Sequence, residues 1–222
     1  LKAQAKGIGF KAAHVHVVGA GVMGGDIAAW CALRGINVTL QDLDAAKIAP
    51  AIKRAAEMFK QRLRDERRIR DAMDRLQPDV SGDGAKRADV IIEAIVENLA
   101  VKQKVFAQLE AKAKPDAILA TNTSSIPLEQ IATALADPSR LVGIHFFNPV
   151  AQMMLVEVIS GAQTNADTAK KATAFVDQID KLPLACKSAP GFWVNRILAP
   201  YLTEAMRCLD EGISPETLDE AA

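Results

Sequence analysis

The sequence predicts an α/β fold: a doubly wound, largely parallel sheet with a helical excursion, followed by the start of an all-α C-terminal segment. Three observations carry that reading. The run His14-Val15-His16-Val17-Val18 passes through glycines into a small-residue helical stretch and on to a second β-branched run within about 30 residues, which is a βαβ unit. Strand-like and helix-like stretches then keep alternating to about residue 188. Beyond Ser188-Ala189-Pro190-Gly191 the alternation stops and only helical periodicity remains.

Each element has its own justification. The first strand, 14–18, alternates and then turns wholly apolar before Gly19. Residues 22–33 place small and apolar side chains at helical spacing, and Gly35 stops them. The second strand, 37–42, is β-branched and ends on Asp42. From 45 to 76 the pattern is a heavily charged helix or helix pair, broken between Pro78 and Gly84. Further strands are expected at 89–94, 117–122, 141–145, 155–159 and 182–186. Helices are expected at 101–113, 127–135 and 167–179, then 192–209 and 215–222 after the breaker. Residues 1–13, polar and mixed, read as a linker. The domains are thus 1–13 linker, 14–188 nucleotide-binding domain and 189–222 the start of a helical one.

Composition narrows the function. The 222 residues amount to roughly one and a half domains of about 150. Twenty-seven basic side chains face 27 acidic ones, so the net charge is zero, which argues against a nucleic-acid partner. Aromatics at 5% leave little for a base-stacking platform. No apolar run reaches the roughly 18 residues of a membrane span. Cys31, Cys186 and Cys208 are odd in number and widely spaced, which favours incidental thiols over disulfides or a zinc site, so no metal is expected. The missing initiator Met and the polar start suggest a piece of something longer.

Gly19-Ala20-Gly21-Val22-Met23-Gly24 is a G-x-G-x-x-G standing directly after a strand and opening a helix. Gly19 permits the tight turn, Gly21 lets the backbone approach a pyrophosphate, and Gly24 lets helix and strand pack closely. The N–H groups of the helix start, at Val22 and Met23, then face the phosphates. Asp42, at the end of the second strand, is placed to accept hydrogen bonds from the ribose hydroxyls of NAD and to repel the 2′-phosphate of NADP. A glycine turn in a generic α/β domain is the plainer alternative; its position between strand and helix favours NAD and a Rossmann-type domain.

Further along stand Glu93-Ala94-Ile95-Val96-Glu97-Asn98, Thr121-Asn122-Thr123-Ser124-Ser125-Ile126, His145-Phe146-Phe147-Asn148-Pro149, Leu155-Val156-Glu157-Val158 and Pro190-Gly191-Phe192-Trp193-Val194-Asn195-Arg196. In order and spacing this set resembles the 3-hydroxyacyl-CoA dehydrogenase family across residues 14–222. It is more similar still to the dehydrogenase part of bacterial multifunctional fatty-acid β-oxidation enzymes. The resemblance implies NAD-dependent oxidation of L-3-hydroxyacyl-CoA to 3-oxoacyl-CoA, and a bacterial cytoplasmic enzyme within a larger multifunctional chain or complex. It implies a catalytic set of Ser124, His145, Glu157 and Asn195, with Ile95, Val96, Glu97 and Lys102 lining the nicotinamide side together with Asn148 and Ser124. The family's C-terminal helical domain is longer than the roughly 33 residues present after Ala189 and usually supplies a homodimer interface.

The chemistry fits the residue types. Oxidising a secondary alcohol needs a base for the hydroxyl proton while hydride leaves the same carbon, and an imidazole at a strand end can serve at neutral pH. Glu157, in the next strand, could hold the far ring nitrogen and fix the tautomer. Taken alone, a histidine before Phe146-Phe147 also suits a core, but a carboxylate in an apolar strand is costly without a partner. Ser124 can donate to the substrate oxygen, or Thr123 and Ser124 can merely cap the helix near Pro127. Asn195 can polarise a developing keto oxygen from across a cleft, or be a plain helix amide. Between Lys53 and Arg75 nine Lys/Arg face five Asp/Glu; this is a solvated helix face, or by resemblance a site for CoA phosphates with Lys60 and Arg62 as candidates. Two other readings remain. One is a β-hydroxyacid dehydrogenase acting on a small free acid, which relies on a lysine where this chain has Asn195-Arg196. The other is a chain that binds NAD without turnover.

Overall fold

The computed structural model describes residues 8–221. Residues 1–7 of the expected linker, and Ala222 of the expected last helix, lie outside the described residues. The end of that linker is fastened to the domain. Ala12 exchanges two hydrogen bonds with the Gln178 side chain, at 2.9 and 2.8 Å, and the Ala13 N–H donates to Asp89 Oδ2 at 2.7 Å.

One eight-stranded sheet runs in the order β3-β2-β1-β4-β5-β6-β7-β8. Its strands are β1 (His14–Val18), β2 (Asn37–Gln41), β3 (Leu76–Pro78), β4 (Val90–Glu93), β5 (Ile118–Thr121), β6 (Leu141–Phe146), β7 (Leu155–Ser160) and β8 (Leu182–Lys187). All neighbours pair in parallel except β6 and β7, which are antiparallel. The strand order reverses between β1 and β4, and the crevice outside the carboxyl ends of strands at such a point is where ligands bind in doubly wound sheets. Seven strands match those expected; β3 does not. It is only three residues long, it follows a highly charged stretch, and it ends in Pro78, which an edge strand alone tolerates.

Helix α1 (Val22–Leu33) is apolar on nearly every side and lies buried against the sheet, with Ile27, Ala28, Cys31 and Ala32 fully enclosed. Gly35, at φ +88, ends it as expected. The charged stretch is a helix pair. In α2 (Ala45–Leu63) Asp44 caps the Lys47 N–H, and Ile48, Ala51, Ala55 and Phe59 form one buried stripe. Arg64, at φ 51, breaks the helix, and Asp65 caps α3 (Glu66–Arg75) by accepting from the Arg68 N–H. Beyond these come α4 (Leu99–Lys112), capped by Asn98, the short α5 (Leu128–Ala132) and α6 (Ala166–Gln178). The last two helices, α7 (Val194–Asp210) and α8 (Pro215–Ala221), contain no buried residue among those described. No helix among the described residues is long and apolar enough to cross a membrane.

Candidate active site

A cleft of about 1020 Å³ opens along the carboxyl ends of β1, β2, β4, β5 and β6. At one end lies the glycine loop. Gly19 takes φ +102, and a Cβ there would fall 2.5 Å from the Ala94 carbonyl oxygen, so only glycine fits. A Cβ on Gly24 would fall 1.8 Å from the Gly19 carbonyl oxygen: this residue brings α1 against β1 and does not line the cleft. Nothing lies within 4 Å of a Cβ placed on Gly21, which fronts the cleft with Val22 and Met23. No side chain caps α1, so its first N–H groups are left to an anion in the cleft. Asp42 also lines it, with Oδ2 accepting from the Ala20 N–H at 2.8 Å and Oδ1 from the Leu43 N–H at 2.7 Å. A carboxylate has about four acceptor positions, so capacity for ribose hydroxyls remains. The loop, the uncapped helix and Asp42 fit a dinucleotide.

The next segment carries Ile95, Val96 and Glu97, all of which face the cleft. Lys102 does not. Its ammonium is 1% exposed, 2.6 Å from Glu93 Oε1 and 3.2 Å from Glu97 Oε2, so it is a buried counter-ion rather than a cleft-lining group. Glu93 accepts in addition from the Ile95 N–H and the Thr121 hydroxyl. Glu97 accepts from the Thr123 and Ser125 hydroxyls and from the Ser124 N–H at 3.1 Å. Burial works to raise the Glu97 carboxyl, but these donors and Lys102 outweigh it and hold it below its usual range. Sequence reasoning gave Glu93 no role of its own and did not pair it with Lys102. The available signal was a carboxylate ending the apolar run Val90-Ile91-Ile92, which calls for a cation.

Antiparallel pairing sets His145 directly opposite Glu157. The His145 Nδ1 lies 2.7 Å from Glu157 Oε2, and the carboxylate is wholly buried. Its other oxygen accepts from the Trp193 and Val194 N–H groups at 2.8 and 2.9 Å. Those amides open α7, which has no other side-chain cap, so the carboxylate also sits at the positive end of a helix. The turn that aims them is held by Gly191 at φ 75 and Phe192 at φ 48. Burial again pushes the carboxyl up, and the His145 and amide hydrogen bonds bring it below its ordinary value, so it is ionised at neutral pH. An ionised carboxylate only accepts; in the neutral ring Nδ1 therefore carries the proton and Nε2 the lone pair. Phe147 and Phe192 flank the imidazole at centroid distances of 4.6 and 5.8 Å.

Ser124, His145, Asn148 and Asn195 all line the cleft. Asn195 reaches it from the first turn of α7. Ser124 does not cap α5, whose first residue follows Pro127 without a side-chain cap; Thr123 instead accepts from the Ile126 N–H at 3.0 Å. Lys60 and Arg62 lie outside the cleft, and Arg62 donates to the Ala151 carbonyl at 2.8 Å. Cys31 and Cys186 are buried, which pushes both thiols up to about 12.

Comparison with known proteins agrees with the nucleotide-binding fold. The family model described as 3-hydroxyacyl-CoA dehydrogenase, NAD binding domain, matches residues 14–189, and the one described as its C-terminal domain matches residues 191–222. The chain is similar to the crystal structure of FadB2 from M. tuberculosis, with 35% identity and a TM-score of 0.91 over 95% of this chain and 76% of that one. It is similar to (S)-3-hydroxybutyryl-CoA dehydrogenase PaaH1 from Ralstonia eutropha, with 37% identity and a TM-score of 0.89 over 93% and 75%. A third match, 3-hydroxybutyryl-CoA dehydrogenase from Escherichia coli K12, gives 37% identity and a TM-score of 0.88 over 92% of this chain but 44% of that one.

Proposed function

The chain belongs to the 3-hydroxyacyl-CoA dehydrogenase family, an NAD-dependent oxidoreductase family, and from that premise we propose that it oxidises L-3-hydroxyacyl-CoA to 3-oxoacyl-CoA in fatty-acid β-oxidation. The observation that carries the reading is the His145–Glu157 pair, whose imidazole lines the same cleft as the glycine loop and Asp42, three strands along the sheet from β1. Bound NAD supplies the hydride acceptor. His145 Nε2 takes the hydroxyl proton as hydride departs, and Glu157 stabilises the imidazolium that forms. Ser124 and Asn195 donate to the substrate oxygen as it becomes a carbonyl. Ile95, Val96, Glu97 and Asn148, which line the cleft, would border the nicotinamide, and Lys102 would act through Glu97.

The substrate class rests on the relatives. PaaH1 and the E. coli protein are by name 3-hydroxybutyryl-CoA dehydrogenases, and the residues around His145 here fit the same reaction. We further propose that the enzyme works in the bacterial cytoplasm as the dehydrogenase part of a larger chain, in keeping with a match that spans 44% of the E. coli protein. The test is reduction of acetoacetyl-CoA by NADH, followed at the nicotinamide absorbance, beside His145→Ala. A loss of 10²-fold or more in kcat at unchanged NADH affinity is expected. Equal rates for the two proteins would remove His145 from the mechanism, and a wild type without turnover would refute the substrate assignment.

A further inference from the structure

Outside the residues that line the cleft, three cations gather on one aromatic ring. Trp30 of α1 is 2% exposed, and its Nε1 donates to the Ile179 carbonyl at 2.8 Å, which fixes the ring. Lys181 Nζ lies 4.0 Å from the ring centroid, the Arg34 guanidinium 4.6 Å and that of Arg62 5.5 Å. Arg34 is paired with Asp180 at 2.9 Å. Lys181 is entirely buried, and among the described residues no ion pair to a carboxylate is formed; its ammonium donates to two backbone carbonyls, those of Val150 and Met153. Arg62 donates to the carbonyl between them, that of Ala151. Three carbonyls of a single loop are thereby held by two cations.

That loop is the connection from β6 to β7, and it begins at Phe147 and Asn148, which line the cleft beside His145. Burying a lysine without a directly paired carboxylate is costly, and the cost shows: burial, with Arg34 and Arg62 nearby, outweighs the pull of Asp180 and lowers the ammonium to about 8. The site keeps the charge because the loop carbonyls and the π-face of Trp30 replace its water.

We propose that Lys181, with Arg62, is a positioning residue for the nicotinamide end of the cleft: its ammonium, seated between the Trp30 ring and the carbonyls of Val150 and Met153, holds the 147–154 loop so that Phe147 and Asn148 keep their places beside His145. The helix that bears Trp30 opens with the glycine loop at its other end. The tether therefore ties the loop that receives the nicotinamide to the same helix that receives the pyrophosphate. The inference takes from the functional reading only that the nicotinamide lies at the His145 end.

Binding of two probes tests it. ADP-ribose carries the adenosine and pyrophosphate of the cofactor without its nicotinamide, and NADH carries all three. In Lys181→Met the calorimetric dissociation constant of ADP-ribose should stay within twofold of wild type, while that of NADH rises fivefold or more and kcat for acetoacetyl-CoA reduction falls by a similar factor. Unchanged binding of both probes, or an equal loss for both, would overturn the proposal. Should Lys181→Met not fold, Arg62→Ala decides it, since that side chain is exposed and reaches the same loop: NADH should weaken at least twofold with ADP-ribose unaffected, and no difference between the probes sinks the tether. A wild type that binds NADH but does not reduce acetoacetyl-CoA would count against the substrate assignment and leave the binding comparison intact.

Discussion

Replacing Glu157 by Gln changes one oxygen for an NH₂ and leaves the volume almost alone. The carboxylate accepts three hydrogen bonds: from His145 Nδ1 at 2.7 Å and from the Trp193 and Val194 amides at 2.8 and 2.9 Å. A glutamine can satisfy both amides only by pointing its single oxygen at them, which turns its NH₂ toward Nδ1. Nδ1 must then accept, the ring proton moves to Nε2, and the lone pair there is gone. The equivalent exchange in a serine-protease triad costs about 10⁴ in kcat, and a positioned base contributes about 10²–10⁴. A loss of ~10²–10⁴, or about 3–5 kcal/mol of barrier, is expected here. Stability should fall less, by about 1–3 kcal/mol, because the charged hydrogen bond to His145 is lost while the amide bonds persist in neutral form. The sign with pH follows from the direction of the shift. A carboxyl held low in the folded state stabilises above its unfolded value of about 4.3 and loses that contribution as pH falls through the lower folded value. The stability gap between wild type and E157Q should therefore close below about pH 4. Steady-state kcat, thermal unfolding across pH and ¹⁵N imidazole shifts measure all three. A variant with kcat within threefold of wild type and the proton still on Nδ1 would refute the argument.

Two further outcomes follow from the packing. Gly24→Ala should abolish measurable NAD binding and cost about 1–3 kcal/mol or more, because the new methyl would lie 1.8 Å from a backbone oxygen that cannot step aside; NAD titration and melting check it, and wild-type affinity would contradict it. Of the three thiols, only Cys208 is partly open to solvent, and the others are pushed up to about 12 by burial. A disulfide reagent at pH 8 should therefore titrate one thiol at once and two more only with unfolding; fast reaction of two would show that the core opens.

The glycine loop and seven of the eight strands were legible because their signals are local. Gly19 and Gly21 stand between a strand and a helix, with Gly24 in the helix's first turn, and the apolar runs around 15–18, 90–93 and 118–121 match buried parallel strands. His145 and Glu157 were legible as residue types in successive strands, and the register that opposes them came only with the fold. What stayed hidden acts through distant backbone or through burial. Sequence separation says nothing of α7 amides reaching Glu157 across 36 residues, nor of the Lys181 ammonium reaching Val150 across 31. Lys102 was expected beside the nicotinamide, and the partner that removed it from the cleft is Glu93, nine residues earlier. Arg62 was, by resemblance, one of two candidates for CoA phosphates, because a run of positive charge looks uniform in one dimension; its bond to the Ala151 carbonyl appears only in the fold.

The single reversed junction in the sheet, β6 against β7, bears on how such a site can be inherited and altered. In every parallel pair of this sheet, partners arrive from separate crossovers, so a geometric relation between two side chains depends on everything that lies between them. His145 and Glu157 face each other across a hairpin and are carried by one stretch of chain from Leu141 to Ser160. Their alignment is a property of that ribbon, and a slip of one residue would send them to opposite faces while preserving the ladder of backbone bonds. Enzymatic rate is thus a sensitive gauge of strand register in this protein. The ribbon is also the smallest unit that would have to be moved intact to graft the pair onto another sheet.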